Sequence, residues 1–282
     1  MNNSTMNFTT PEASTNSTNH LFAIITILDI YIYSFNVFLG FPTHFYIILL
    51  IVQGTGNGVA SDFFILNLSV SEIGICLNSL FSVFYYFTGV LYLRLLGFLL
   101  GLLVTGRPLF QCLICVERYL AVVHPVTFLK YKPLRYRVIC CTPAWIICLG
   151  SCLCCMFTTE QFNYELYIYF YLIQFLLFFS IQLFCLVTVL RALKQSGPGE
   201  RGRERKEENC MKRRAFRLIL ITTVTMTNIY MPLIISGFYF ILTQQFIVNL
   251  FSVGLLCFIL AGFVQPVLYL HRAGKLSCFC CF

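Results

Sequence analysis

Apolar residues in this chain come in long runs separated by short polar stretches. Seven such runs lie near 25–52, 62–87, 94–119, 138–158, 166–190, 215–242 and 247–270. Each reaches the roughly 20 residues that an α-helix needs to cross about 30 Å of hydrocarbon. The pattern predicts an all-α fold, a seven-transmembrane helix bundle over residues 25–270. A polar tail over 1–24 precedes it and a short tail over 271–282 follows. The first run contains Gly40 and Pro42 and is expected to kink there.

The basic residues give the bundle a direction, because cytoplasmic loops carry the excess of Lys and Arg. With the amino terminus outside, 17 of the 19 Lys and Arg fall on inner loops, inner helix ends or the tail, Arg94 falls outside, and Arg107 lies within the membrane. The outer segments instead carry Glu12, Asp29, Glu160 and Glu165. The amino-terminal stretch has neither a basic start nor an apolar core, so it does not read as a cleavable signal peptide. It holds four Asn-x-Ser/Thr acceptors, at Asn2, Asn3, Asn7 and Asn16, as a glycosylated outer tail would. Asn67 also matches but sits in an apolar run, out of reach of a glycosyltransferase. The third inner loop, about 191–214, is the long one; its Glu200–Glu208 stretch mixes charge signs and is expected to be solvated.

Composition narrows the class further. Only 11% of residues are charged, against about 25% in a soluble domain. The formal charge of +8 sits in juxtamembrane loops, which argues for contact with membrane lipids rather than for nucleic-acid binding. Most of the 15 cysteines lie inside apolar runs, as small apolar fillers, and a metal site is not expected from them. Cys278, Cys280 and Cys281, just past the last run on the basic side, are candidates for palmitoylation. No metal or cofactor is expected. The four histidines, His20, His44, His124 and His271, are scattered and no pair of intramembrane aspartates exists, so the chain is not read as an enzyme. Nor does it show the repeated halves of a transporter.

The third run leaves the membrane at Glu117-Arg118-Tyr119 and is followed by Ala121-Val122-Val123-His124-Pro125. The second run contains Leu66-Asn67-Leu68-Ser69-Val70-Ser71-Glu72, the fourth the sole tryptophan, Trp145, the sixth Pro232, and the seventh ends Gln265-Pro266-Val267-Leu268-Tyr269. In order and on correctly oriented runs, these segments resemble the signatures of the rhodopsin-like (class A) G-protein-coupled receptors. The resemblance implies a receptor that passes an extracellular ligand signal to a heterotrimeric G protein. It implies an activation switch built from Glu117, Arg118, Tyr119, Pro125, Pro232, Pro266 and Tyr269. Arg118 would pair with Glu117 at rest and turn into the bundle to receive a G-protein helix when active. Pro232 and Pro266, which remove backbone hydrogen bonds, would hinge helices six and seven.

Several positions depart from that family. Leu93 stands about where helix three should carry a disulfide-bonded cysteine, so the outer face is expected to be looser. The helix-six motif reads Ile229-Tyr230-Met231-Pro232, without the usual tryptophan. Both leave room for a second reading, a non-signalling seven-helix protein that traffics or dimerises with other receptors. Arg107 is the most informative departure. An arginine at that depth costs at least about 2.5–3.5 kcal/mol unless paired. Glu72 lies about ten residues from the inner end of its helix and Arg107 about twelve, so at 1.5 Å per residue both sit roughly 15–18 Å up. In the family these positions flank a bound sodium ion. Here the Arg107 guanidinium is expected to replace the ion and pair with Glu72, with His44 and Gln265 completing a buried polar cluster.

Leu100 occupies the place where amine receptors carry an aspartate, and helix seven has no lysine for a retinal Schiff base. Arg94, Gln244, Gln245, Tyr164 and Tyr167 against an apolar wall would suit a lipid or a small peptide.

Overall fold

A computed structural model describes residues 12–54, 62–90, 92–131, 133–161, 164–195, 203–243 and 248–272. They form helices and contain no strand, and seven helices are long and apolar enough to cross a membrane. In chain order the spans are Ile24–Val52, Phe63–Thr88, Leu93–Val123, Leu134–Glu160, Glu165–Ala192, Phe216–Thr243 and Ser252–His271, referred to below as spans one to seven. The first helix begins at Glu12, twelve residues ahead of span one. The long inner loop is shorter than its polar sequence suggests, because helix continues to Gln195 after span five and starts again at Arg203 before span six.

Span three is the axis of the bundle. Its most apolar stretch is 72% buried, against 29–56% for those of the other six, and it packs on spans two, four, five and six. Its inward residues Val104, Leu109, Phe110, Cys112 and Ile114 join Phe64, Leu68 and Ile75 of span two and Met226 and Tyr230 of span six in one core. The outward faces, such as Ile146 and Ile147 of span four or Leu176 and Phe184 of span five, are exposed apolar surface, as a lipid solvent requires. Eleven described cysteines are free thiols, most of them buried filler in the core.

Two spans contain a π-helical turn, Asn36–Gly40 in span one and Leu102–Gly106 in span three. Each lies just before a proline, Pro42 or Pro108, whose missing N–H breaks the regular ladder. The irregularity of span one thus spreads over the turn before Pro42 instead of forming a point kink. A π-turn fits one extra residue into the helix and re-aims the side chains around it. Asn36 uses this to donate to Ser79 of span two at 2.8 Å, and Thr105 to bond Ser151 of span four and Gln174 of span five.

The outer half of span three lies very close to span four. Gly97 and Gly101, one turn apart, face Met156 and Cys152; a Cβ on Gly97 would sit 3.0 Å from the Met156 Cα, and one on Gly101 would collide with the Cys152 backbone. Two small residues at this spacing let helix backbones touch in a membrane, where packing rather than the hydrophobic effect drives association. Arg94 adds an ion pair to Glu160 across the same two helices. At 81% exposure of the arginine side chain, that pair contributes at most about 1 kcal/mol. The glycine contact is what holds the outer end where the family's disulfide is missing. Replacing Gly101 by leucine over-packs this contact, at a cost of about 1–3 kcal/mol, and should lower surface expression several-fold. Gly150→Leu, at a site with nothing within 4 Å, should leave expression unchanged in the same assay.

Candidate functional site

Arg107, 1% exposed, and Glu72, 4% exposed, are buried charges midway along their spans. Arg107 starts the regular helix after the π-turn of span three, and Glu72 lies mid-way along span two. The guanidinium Nε and Nη2 donate to Glu72 Oε1 and Oε2 at 2.5 and 2.6 Å. Such a two-point contact matches the planar fork of arginine to a carboxylate. The third nitrogen, Nη1, donates to the backbone carbonyl of Phe258 in span seven. The Phe258 ring also covers the cation, with Cζ 3.8 Å from its centroid. Gly262, one turn further, makes room: a Cβ there would lie 2.9 Å from Arg107 Nη2 and 3.3 Å from Glu72 Oε2. The pair therefore joins spans two, three and seven. It does not fit a bound sodium ion, because a fixed positive charge already engages both carboxylate oxygens.

His44 is buried close enough to feel both charges, with its Nδ1 lacking a hydrogen-bond partner. The expected fourth member lies elsewhere: Gln265 lines a crevice on the inner side with Arg118, and the third bond to Arg107 comes from Phe258 instead. A backbone carbonyl carries no residue-type signal, so that partner was not legible in the residue order.

At the inner edge, the expected pairing of Arg118 with Glu117 is replaced. Glu117 accepts from Arg137 Nη2 of span four at 2.6 Å, and both residues are buried. Neighbouring residues on a helix point about 100° apart. Glu117 therefore faces span four while Arg118 faces the bundle. Arg118 Nε is buried without a hydrogen-bond partner. It borders a cavity of about 30 Å³ lined also by Cys115, Thr222, Gln265 and Tyr269. Arg137 had been one inner-loop charge among many in the sequence; only its burial in the first turn of span four marks it.

The other matched residues take varied places. Trp145 donates to Asn67 of span two at 2.8 Å and packs on Phe110 of span three. Tyr119 stacks edge-on against His124 and bonds it at 3.1 Å, and the exposed Pro125 begins the short inner helix Pro125–Tyr131. Pro232 lies inside the long helix Arg203–Thr243. Pro266 follows a break at Phe263, and Tyr269 packs on Ile47, Leu50 and Ile51 of span one. Tyr230, in place of the family's tryptophan, contacts Tyr171 and Phe175 on one side and the Phe258 ring on the other. It connects the aromatic core of spans five and six to the ring above Arg107. Arg94 is engaged by Glu160 at the rim, and Tyr167 packs against the core. Asn2, Asn3, Asn7, Gln244, Gln245, Cys278, Cys280 and Cys281 lie outside the described residues, as do the side chains of Asn16 and Tyr164.

Two outcomes follow from the buried pair. Removing one partner of such a pair costs about 3–5 kcal/mol, because it strands the other charge. Glu72→Gln should therefore cut surface expression to a small fraction, and the double variant Glu72→Gln/Arg107→Gln should recover part of it; full expression of the single variant would remove the pair's structural role. The thermal stability of the purified protein should be the same in sodium chloride as in equimolar N-methylglucamine chloride, whereas Arg107→Ser should make it depend on sodium.

Known proteins give the same reading of the chain. The family model described as 7 transmembrane receptor (rhodopsin family) matches residues 44–269. The uracil nucleotide/cysteinyl leukotriene receptors of Rattus norvegicus and Mus musculus are each 28% identical to this chain over 135 residues, which is 46% of this chain and 38% of the relative's length. The similarity thus spans well under half of those receptors. With the family match running from span one through Tyr269, this chain belongs to the rhodopsin family of seven-transmembrane receptors.

Proposed function

We propose that this protein is a plasma-membrane receptor, amino terminus outside, that transmits an extracellular ligand signal to a heterotrimeric G protein. One observation carries the reading: Arg118 stands beside a crevice on the inner side with its Nε buried and unpartnered. A buried donor without a partner costs about 1–3 kcal/mol, and a chain end inserted from the cytoplasm could supply the missing acceptor. Glu117, the nearest carboxylate in sequence, is drawn to Arg137 and so does not compete for it. Pro232 and Pro266 would supply the hinges that widen the crevice, and Tyr119, Pro125 and Tyr269 would frame it. The Tyr230–Phe258–Arg107 contacts offer a route from an outer ligand to span seven. The ligand class favoured is a lipid or a small peptide; a cysteinyl leukotriene, named for the two matched relatives, is a lipid derivative. Asn2, Asn3, Asn7 and Asn16 would carry the outer sugars, and Cys278, Cys280 and Cys281 would take palmitoyl chains.

Tyr230 in place of tryptophan favours a second reading, a receptor-like partner that traffics with other receptors without signalling. Second-messenger output from cells expressing the chain separates the two. Signalling predicts basal output that Arg118→Ala abolishes at equal surface expression. Arg137→Gln should lower the same output several-fold, since it releases Glu117 to compete for Arg118. Output indistinguishable from untransfected cells across a G-protein panel would favour the silent partner.

A further inference from the structure

Among the described residues, the carboxylates of Glu72, Glu117 and Glu160 each meet an arginine. Asp29 does not. It lies five residues inside span one, which starts at Ile24, so roughly 8 Å below the outer end at 1.5 Å per residue. Its Oδ1 is buried without a hydrogen-bond partner. Across the contact between spans one and seven it faces Ser252, a residue 2% exposed whose Oγ is likewise buried and unpartnered. The Ser252 hydroxyl thus lies beside the Asp29 carboxylate, and Asp29 Oδ1 still has accepting capacity left over. Tyr33, one turn below Asp29, and Tyr86 of span two both lie near enough to feel its charge, and Ser82 of span two meets the Tyr33 hydroxyl.

Among the described residues, no Lys or Arg is paired with this carboxylate. Of the chain's 19 Lys and Arg, only Arg94 belongs to the outer side, and Arg94 is held by Glu160 between spans three and four. His20 lies nine residues further out along the same helix, about 13 Å away at the helical rise. A carboxylate at this depth gains from a cationic partner, and among the described residues none supplies one.

We propose that Asp29, Ser252, Tyr33 and Tyr86 form a site between spans one, two and seven for a protonated primary amine carried on a small apolar body. The chemistry selects this class. Asp29 Oδ1 and Ser252 Oγ can both accept, and one ammonium group carries enough N–H donors for both. A quaternary ammonium has none. The tyrosine rings favour an organic cation, whose charge they attract through their faces, over a strongly hydrated sodium ion. The helix-three aspartate used by amine receptors is absent at Leu100, so this site is at a different place in the bundle. The proposal rests on the outward amino terminus but not on G-protein coupling.

Thermal unfolding of the purified, detergent-solubilised full chain tests it with phenethylamine as probe. Detergent exposes both faces and no G protein is involved, so failure of the receptor reading would leave the result unaffected. A ligand that binds only the folded state raises the unfolding temperature by mass action. Phenethylamine should therefore raise it by a few degrees at millimolar concentration. Phenethyl alcohol and the trimethylated ammonium should not, and neither should sodium chloride at equal ionic strength. Asp29→Asn should abolish the shift, and Ser252→Ala should weaken apparent affinity several-fold. Should Asp29→Asn not fold, loss of the shift in Tyr86→Leu with a normal ligand-free unfolding temperature stands in its place. Equal shifts from sodium or the trimethylated ammonium, an undiminished shift in Asp29→Asn, or no shift with phenethylamine would overturn the proposal.

Discussion

A full positive charge sits in the middle of this bundle, and much of the structure is arranged to tolerate it. Arg107 cannot shed its proton at any ordinary pH, so its cost in a low-dielectric interior has to be met by geometry. Glu72 meets it with two hydrogen bonds, Phe258 with a carbonyl and a ring, and Gly262 by withholding a side chain. Buried ion pairs of this kind seldom add net stability over an apolar alternative. What this one provides is register: spans two, three and seven satisfy Arg107 together only in one relative position. An ion-dependent junction in the family becomes, in this chain, a junction made of side chains alone.

The same principle operates at the inner edge with a different result. There a carboxylate and two arginines share one region, and the pairing goes to the arginine on span four. Arg118 is left facing a crevice that also holds Thr222, Gln265 and Tyr269. Electrostatic competition between Arg137 and Arg118 for one acidic group thus sets how available Arg118 is. A substitution in span four can therefore change how Arg118 is held.

The outer half relies on contact more than on charge. Gly97 and Gly101 bring spans three and four to backbone distance, and the aromatic cluster of Tyr171, Phe175, Tyr230 and Phe258 fills the space beneath. The expectation of a loose outer face came from counting cysteines, which says nothing about how closely two helices pack.

Much of this protein was legible in the residue order. Runs of about twenty apolar residues admit little but membrane helices, and the one-sided distribution of lysine and arginine suggests which way they run. The equal depth of Glu72 and Arg107 could be counted along two helices, because helical rise is constant. Which side chain completes a site could not be counted. Phe258 acts through its backbone carbonyl, Gly262 through the side chain it lacks, and Arg137 through a burial that its basic neighbours disguise. The preference of Glu117 for Arg137 over its own neighbour Arg118 depends on the rotation of span three against span four. That rotation is set by helix packing, and so it belongs to the tertiary structure alone.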